Sequence, residues 1–295
     1  MKNFFLITLL YFSFNTILFA QKSVSANSIL WEVSGNGLQK PSFLFGTYHF
    51  LTNAFIDTIP AVKNAYKSVQ AVAGELIIDS SLQAPIMEAS VLKGTTLQKV
   101  LPDSLYTKAS NWFKEEAGLD LAKLDQLNPL TVMTVALAII QQKYYPNKAG
   151  EVQLDTYFQE EGKKDGKKVL GLETIDVQIK AMFGQFTMQR QVELFNETFK
   201  EKDELKNLMS IMNNAYVSEK LDELQQLMYR NDYRPEEMKV LLDDRNDNWM
   251  ATLPKLMKEQ ATFVAVGALH LFGQKGLIQQ LKEQGYTVTP VNLKN

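Results

Sequence analysis

The chain has 295 residues, of which 45% are hydrophobic and 22% are charged, so its composition is typical of a globular protein and excludes wholesale disorder. Its 31 Lys and Arg residues nearly balance its 33 Asp and Glu residues, and without a basic tract we do not expect nucleic acid as a partner. Cysteine is absent, which excludes disulfides, thiolate metal sites and cysteine nucleophiles, and His occurs only twice.

The first 20 residues have the features of a signal peptide. Lys2 supplies a positive charge, and an apolar stretch from Phe4 to Ala20 follows it. This stretch is too short and too often interrupted by polar residues to span a bilayer of about 30 Å comfortably. We predict cleavage after Ala20 and export to the periplasm or the exterior. Because Leu18 stands where a small residue is preferred, an uncleaved membrane anchor remains the alternative.

Short β-type segments open the predicted mature chain. Two apolar segments, residues 29–33 and 42–46, flank a turn rich in Gly and Asn, which predicts a β-hairpin. A helix is expected to begin at Pro60, because proline favours the first turn, and to end before a predicted strand over residues 71–78.

The long middle of the chain is predicted to be mostly helical. Helical periodicity covers residues 105–116, 128–143, 151–162, 174–181, 187–212, 217–230 and 234–258. One short apolar segment, residues 168–172, interrupts these helices as a predicted strand. The most apolar helical segment, residues 131–140, is too short for a bilayer, so we expect no stable membrane span in the mature chain.

Strand character returns near the end of the chain. Residues 262–266 form a continuous apolar run typical of a buried strand, and a predicted helix and a final strand over residues 286–291 follow. We therefore predict an α/β (α+β) fold in which N- and C-terminal segments form a central mixed β-sheet, with a large helical insertion over about residues 81–258. Residues 21–295 are expected to form a single domain.

The two His residues share one local pattern, in which an apolar strand-like run is followed by Gly, two further residues and His. The first pattern ends at His49 and the second at His270. Glycine after a strand permits close approach of the backbone, and imidazole is a common ligand for divalent first-row metals. The repetition leaves two interpretations open, a shared metal site and two hydrogen-bonded structural His residues.

Two charged residues complete the candidate set. Glu75 stands in an otherwise apolar predicted strand, so it requires a positive partner unless the strand is an edge that faces solvent. Arg245 lies among acidic residues in a helical segment, where the pattern alone favours a surface salt bridge over the binding of a carboxylate or oxyanion. At a strand-to-helix transition, Glu173 or Thr174 is a candidate helix cap.

Taken as a set, these motifs resemble the TraB/PrgY/GumN family, which includes the TIKI proteases. The similarity extends from about residue 29 to residue 291. The segments that carry it are the two Gly-x-x-His patterns, the Glu75 strand, Gly171-Leu172-Glu173-Thr174 with Gln178, Asp244-Arg245-Asn246 with Trp249, and Gly276 through Val288.

The resemblance implies a metal-dependent hydrolase of the TIKI type. In that case His49, His270 and Glu75 would bind a divalent ion, manganese or cobalt first and zinc as a further option, and a metal-bound water would attack a peptide carbonyl. Glu75 would ligate the ion or act as base. Arg245 would point into the site and stabilise the oxyanion.

Different functions compete for the same residues. The leading hypothesis is an exported peptidase-like hydrolase that acts on a peptide or protein substrate. The alternative is a non-catalytic periplasmic or secreted protein that binds a peptide or signal molecule, and a purely structural exported domain is a third. The mixture of basic and acidic candidate residues favours the enzyme. No phosphate loop, Gly-x-Ser-x-Gly motif or His-Glu-x-x-His motif occurs, which disfavours an NTPase, an α/β-hydrolase and a zincin.

Overall fold

The computed structural model describes residues 28–230 and 233–293. The predicted signal peptide, residues 1–20, therefore lies outside the described part of the chain.

Six strands form one mixed sheet. They are β1 (Leu30–Ser34), β2 (Ser42–Thr47), β3 (Ala71–Gly74), β4 (Lys168–Gly171), β5 (Thr262–Gly267) and β6 (Thr287–Pro290). The order across the sheet is β4-β3-β5-β2-β1-β6. Strands β4, β3, β5 and β2 run parallel to one another, whereas β1 is antiparallel to both of its neighbours, β2 and β6. The predicted hairpin and the predicted mixed sheet built from both ends of the chain are confirmed.

Helices fill the middle of the chain and the connections. They are α1 (Asn53–Asp57), α2 (Pro60–Ser68), α3 (Gln83–Ser90), α4 (Leu97–Val100), α5 (Asp103–Ala117), α6 (Pro129–Tyr144), α7 (Leu154–Lys164), α8 (Ile175–Ile179), α9 (Met188–Thr198), α10 (Glu204–Val217), α11 (Leu221–Arg230), α12 (Pro235–Met238), α13 (Asp244–Met250), α14 (Leu253–Glu259) and α15 (Leu277–Glu283). Helices α8 and α12 each continue into a π-helical turn, Lys180–Gly184 and Lys239–Asp243. In the described part of the chain, no helix combines the length and apolarity needed to cross a membrane.

One predicted helix, residues 187–212, is instead two helices, α9 and α10. Between them Phe199 turns into the core and its ring lies 5.4 Å from that of Trp112. The indole of Trp112 also donates to the carbonyl of Lys202, which satisfies backbone that a continuous helix would have used. The predicted helix over residues 234–258 is likewise divided, into α12, a π turn, α13 and α14.

The sheet is covered on both faces. Alternate strand residues separate into two apolar clusters, as the two-residue period of a strand requires. Phe45 and Phe263 pack on one face, against α7 and α10, whereas Leu44 and Val264 pack on the other face, against α13 and α15. A third apolar cluster, centred on α5, α6 and α9, gives the helical block a core of its own. The continuous apolar run of β5 is thus explained by burial on both sides.

Candidate functional site

The candidate residues meet at the carboxyl ends of three adjacent parallel strands. His49 lies two residues beyond β2, Glu75 directly follows β3, and His270 lies in a 3₁₀ turn, Ala268–Leu271, after β5. Arg245 enters from α13. All four side chains line one cavity of about 330 Å³. Loops from distant parts of the sequence meet at this edge of a parallel sheet, which is where ligand sites of such folds are found.

The glycine of each Gly-x-x-His pattern allows a close approach, to the backbone at Gly46 and to the side chain of Glu75 at Gly267. A Cβ added to Gly46 would lie 2.9 Å from the Cα of Ala268, so the two patterns pass directly over each other. A Cβ added to Gly267 would lie 3.2 Å from Oε1 of Glu75. The backbone N–H of Gly267 donates to that same oxygen at 2.9 Å. Because glycine has no side chain, the carboxylate of Glu75 can approach the backbone closely enough to form this hydrogen bond.

Glu75 has the positive partner that its sequence context required. Its Oε2 accepts hydrogen bonds from Nη2 of Arg245 at 2.5 Å and from the amide of Gln178 at 3.1 Å. The prediction that Glu75 lies inside a strand is wrong, because β3 ends at Gly74. Burial opposes ionisation of Glu75, but the basic side chains around it, together with the N–H of Gly267, lower its pKa to about 2.

The loop that follows Glu75 is held by a buried side chain, Gln159 of α7. Its Oε1 accepts a hydrogen bond from the N–H of Ile78 at 2.9 Å, and its Nε2 donates to the carbonyl of Leu76 at 2.8 Å. The glutamine side chain thus replaces a strand partner where β3 has ended. This contact fixes the backbone beside Glu75.

Arg245 is buried, so the surface salt bridge favoured by the sequence pattern is wrong. Its side chain is 8% exposed, and Glu173, which is 3% exposed, accepts from both Nε and Nη2 at 2.6–3.1 Å. Trp249 donates its indole N–H to Glu173 at 3.0 Å, and its ring lies 5.0 Å from the guanidinium carbon. Glu173 therefore orients Arg245, which is a different function from the helix cap considered for it.

His270 is held as one neutral tautomer. The amide nitrogen of Asn246 donates to the carbonyls of His270 and Lys275 at 3.1 and 2.9 Å, so its oxygen faces Nδ1 of His270 at 2.7 Å. His270 must therefore donate from Nδ1, and its Nε2 accepts from Nη1 of Arg245 at 3.0 Å. Burial lowers the pKa of His270 to about 3.

His49 lies at the mouth of the cavity, with its side chain 68% exposed. Its Nδ1 is 2.8 Å from a carboxylate oxygen of Asp155, and the other oxygen of Asp155 accepts from the hydroxyl of Thr47 at 2.6 Å. The negative charge of Asp155 raises the pKa of His49 to about 9. The carboxylate also orients the ring and leaves Nε2 as the nitrogen available for a ligand.

Several of these partners were not singled out from the sequence. Asn246 directly follows Arg245, and that adjacency within the family-like segment is a signal that was available. Asp155 and Gln159 carry no such signal, because they lie on α7, about 80 to 110 residues from the groups they hold. Glu173 and Gln178 were part of the resemblance, although no contact with Arg245 or Glu75 followed from their positions.

The types of side chain at this site fit a divalent metal, but the distances between them do not fit one well. Each His uses Nδ1 for a polar partner, as metal-ligating imidazoles do, and Glu75 adds a carboxylate. However, Oε1 of Glu75 and Nε2 of His270 are 3.8 Å apart, and Arg245 bonds to both side chains. Among residues 28–230 and 233–293, no three His or acidic side chains are grouped closely enough to hold a metal ion.

Comparison with known proteins identifies the relatives of the chain. Residues 29–290 match the profile of the TraB/PrgY/gumN family. The chain is also similar to a protein of Danio rerio described as metalloprotease TIKI2, with 21% identity over 318 residues. That match covers 89% of this chain and 60% of the relative, so the chain spans less than two thirds of the relative's length. No solved structure matches the chain.

Proposed function

The chain belongs to the TraB/PrgY/gumN family, and we propose that it is an exported hydrolase that acts on peptides or proteins. One observation carries the proposal: His49, Glu75, Arg245 and His270 come from four distant segments and line one cavity. The similarity to a protein described as a metalloprotease supports a peptide bond as the target. Export is proposed from the basic and apolar first 20 residues of the sequence.

Arg245 is suited to stabilise the oxyanion that forms when a carbonyl is attacked. It lines the cavity, and Glu173 and Trp249 hold its guanidinium in a fixed plane from behind. Its five N–H groups already donate to Glu173, Glu75, Leu241 and His270, so an oxyanion would have to replace His270 as the acceptor at Nη1. Glu75 is ionised at neutral pH and can act as a ligand; to act as the base for an attacking water it would first have to lose the hydrogen bond from Arg245 that helps to lower its pKa.

We further propose that His49, Glu75 and His270 hold a divalent metal, manganese or cobalt before zinc. When bound, such an ion would acidify a water and polarise the substrate carbonyl. Asp155 and Asn246 support this proposal because they fix the imidazoles of His49 and His270, respectively, through Nδ1. Nε2 of His270 then carries no proton, and Nε2 of His49 can lose its proton to bind an ion. Arg245 would have to release Nε2 of His270 first.

Metal content tests the proposed metal site, and cleavage of a peptide library by the metal-loaded protein tests the proposed hydrolase. The purified protein is loaded with manganese, cobalt or zinc and compared with a His49→Ala/His270→Ala variant by elemental mass spectrometry. The exposed Asp176→Ala variant is the control, and circular dichroism confirms folding. We expect about one ion per chain in the parent and control, and none in the double variant. Equal, low metal in all three would reject the metal site.

The alternative function is a non-catalytic protein that binds a peptide or signal molecule. It is favoured by one observation, namely that Arg245 donates to the lone pair of His270 that a metal would need. Peptide binding without cleavage at any metal loading would establish this alternative in place of the hydrolase.

A further inference from the structure

The cavity has two chemically different walls. The polar wall carries His49, Glu75 and Arg245, which are described above. The rest of the lining is mainly apolar and is called the apolar wall; its main side chains are Met182, Met212, Met238, Leu227, Leu241 and Leu242. No charged side chain of the described lining residues lies outside the polar wall, so a charged group placed against the apolar wall would lose its hydration without a partner.

Two π-helical turns build part of the apolar wall. Met182 lies on the turn Lys180–Gly184, and Leu241 and Leu242 lie on the turn Lys239–Asp243. Side chains of consecutive residues on an α-helix point about 100° apart. Leu241 and Leu242 are consecutive residues of the second π turn, and both line this cavity. Turns of this kind are rare and are frequently found at functional sites.

The second π turn also joins the two walls physically. The carbonyl of Leu241 accepts a hydrogen bond from Nη1 of Arg245 at 3.0 Å, while its side chain lines the cavity. The group proposed to bind the oxyanion and the apolar wall are therefore fixed relative to each other. A substrate carbonyl placed at Arg245 would therefore lie beside this wall.

We infer that the apolar wall is a subsite for one large aliphatic side chain of a peptide, next to the bond that is cleaved. This inference rests on the proposed function and specifies its substrate class. The cavity of about 330 Å³ is at the small end of the roughly 300–1,000 Å³ range of ligand sites, and the proposed peptide substrate would place a side chain rather than an acyl chain in it. Methionine side chains, three of which line the wall, adapt to aliphatic groups of different shape.

Leu242 is the side chain that best reports on the subsite. Leu241 also packs against the apolar cluster of Leu130, Phe186 and Leu194, so its replacement would disturb the fold. Leu242 is half-buried and lies outside the apolar clusters formed by the described residues. Leu242→Trp should fill the subsite, and Leu242→Ala should enlarge it.

Binding is tested first, without any need for hydrolysis. The methionine methyl groups are labelled with ¹³C, and their NMR signals are followed as N-acetyl-leucinamide, N-acetyl-glutamate amide or dodecanoate is added. We expect the leucine probe to shift the signals of Met182, Met212 and Met238, and the glutamate probe to leave them in place. Leu242→Trp should weaken binding of the leucine probe at least tenfold, whereas Val217→Trp, an exposed position outside the cavity, should not.

Three binding results would overturn the subsite. They are equal shifts from the glutamate and leucine probes, unchanged binding by folded Leu242→Trp, and shifts from dodecanoate without shifts from the leucine probe, which would assign the wall to an acyl chain. If Leu242→Trp fails to fold, Met182→Trp replaces it, because Met182 is an exposed part of the same wall.

Cleavage of a peptide library separates the subsite from the proposed function. The parent should prefer Leu, Met or Ile at one position beside the cleaved bond, and Leu242→Ala should shift that preference toward Phe or Trp by at least tenfold. Cleavage without such a preference would reject the subsite and retain the hydrolase. Binding of the leucine probe without any cleavage would reject the hydrolase and retain the subsite.

Discussion

Glu173→Gln is the substitution that most directly tests the described geometry of Arg245. The two oxygens of Glu173 accept from Nε and Nη2 of Arg245 and from the indole N–H of Trp249. Glutamine has nearly the same shape but replaces one oxygen with an NH₂ group. Because donors approach both oxygens, either orientation of the amide places that NH₂ group opposite another donor.

The expected loss of stability follows from these contacts. Hydrogen bonds to charged groups contribute about 1.5–3 kcal/mol, neutral ones about 0.5–1.5 kcal/mol, and a buried donor left unsatisfied costs about 1–3 kcal/mol. Since Glu75 still pairs with Arg245, the loss should stay below that of a fully broken buried pair, at about 2–4 kcal/mol. Urea unfolding at pH 7, with linear extrapolation to water, measures this difference.

A matched control exists elsewhere in the fold. Glu237, with its side chain 8% exposed, accepts from Nε and Nη2 of Arg190 at 2.6 and 2.9 Å. Glu237→Gln should lose a comparable amount of stability but leave the imidazole NMR signals of His270 in place, whereas Glu173→Gln should move them through Arg245. If Glu173→Gln changes the free energy of unfolding by less than about 0.5 kcal/mol, as surface substitutions do, the buried pair with Arg245 is refuted.

Three further outcomes are expected. As the pH falls from 6.5 to about 5, above the range in which the carboxylates titrate, stability should decline, because the unfolded chain binds a proton at His270 that the folded chain, with a pKa of about 3, does not; urea unfolding across this range would show no such slope if His270 were solvated. Asp155→Asn should lower the pKa of His49 from about 9 toward 6.5, and NMR titration of the two imidazoles measures it directly; an unchanged value would exclude the ion pair. Gly46→Ala should destabilise the fold by about 1–3 kcal/mol in thermal or urea unfolding, since its Cβ would meet the Cα of Ala268 at 2.9 Å, and a neutral result would contradict that crossing.

The central sheet was predictable from local patterns. The apolar run at residues 262–266 has no alternation because both faces of β5 are covered, and the period-two segments near both chain ends pair in one sheet. The short helices α1, α3 and α4 were missed because 4 to 8 residues contain too little periodicity to recognise. The break between α9 and α10 depends on Trp112, a tertiary contact that a local pattern does not contain.

The residues of the candidate site were predictable only where the sequence repeats a motif or places a charged residue in an apolar segment. The two His residues were found through their repeated pattern, and Glu75 through a charge in an apolar segment. Arg245 carried no such mark, because surface helices are rich in charged residues and its partner Glu75 is 170 positions away. Asp155, on α7, reaches His49 across 106 positions. Periodicity predicts which face of α7 is buried, but it does not predict which loop that helix end meets.

The charges of the site explain why the hydrolase and the binding protein are such close alternatives. One guanidinium, Arg245, lies between the carboxylates of Glu75 and Glu173 while His270 is neutral, so these buried groups carry one excess negative charge. Such a charge needs a cation nearby. In the structure the imidazolium of His49, with its pKa raised to about 9, also lines the cavity, but Asp155 pairs with it at 2.8 Å, so the excess negative charge remains. A divalent metal would supply that positive charge, and because a ligand imidazole must be deprotonated, binding of the metal by His49 would release a proton. The proposed hydrolase and the alternative binding protein would therefore differ in whether a metal or a protonated His49 lies at this end of the cavity, and a rising pH would favour the proposed metal.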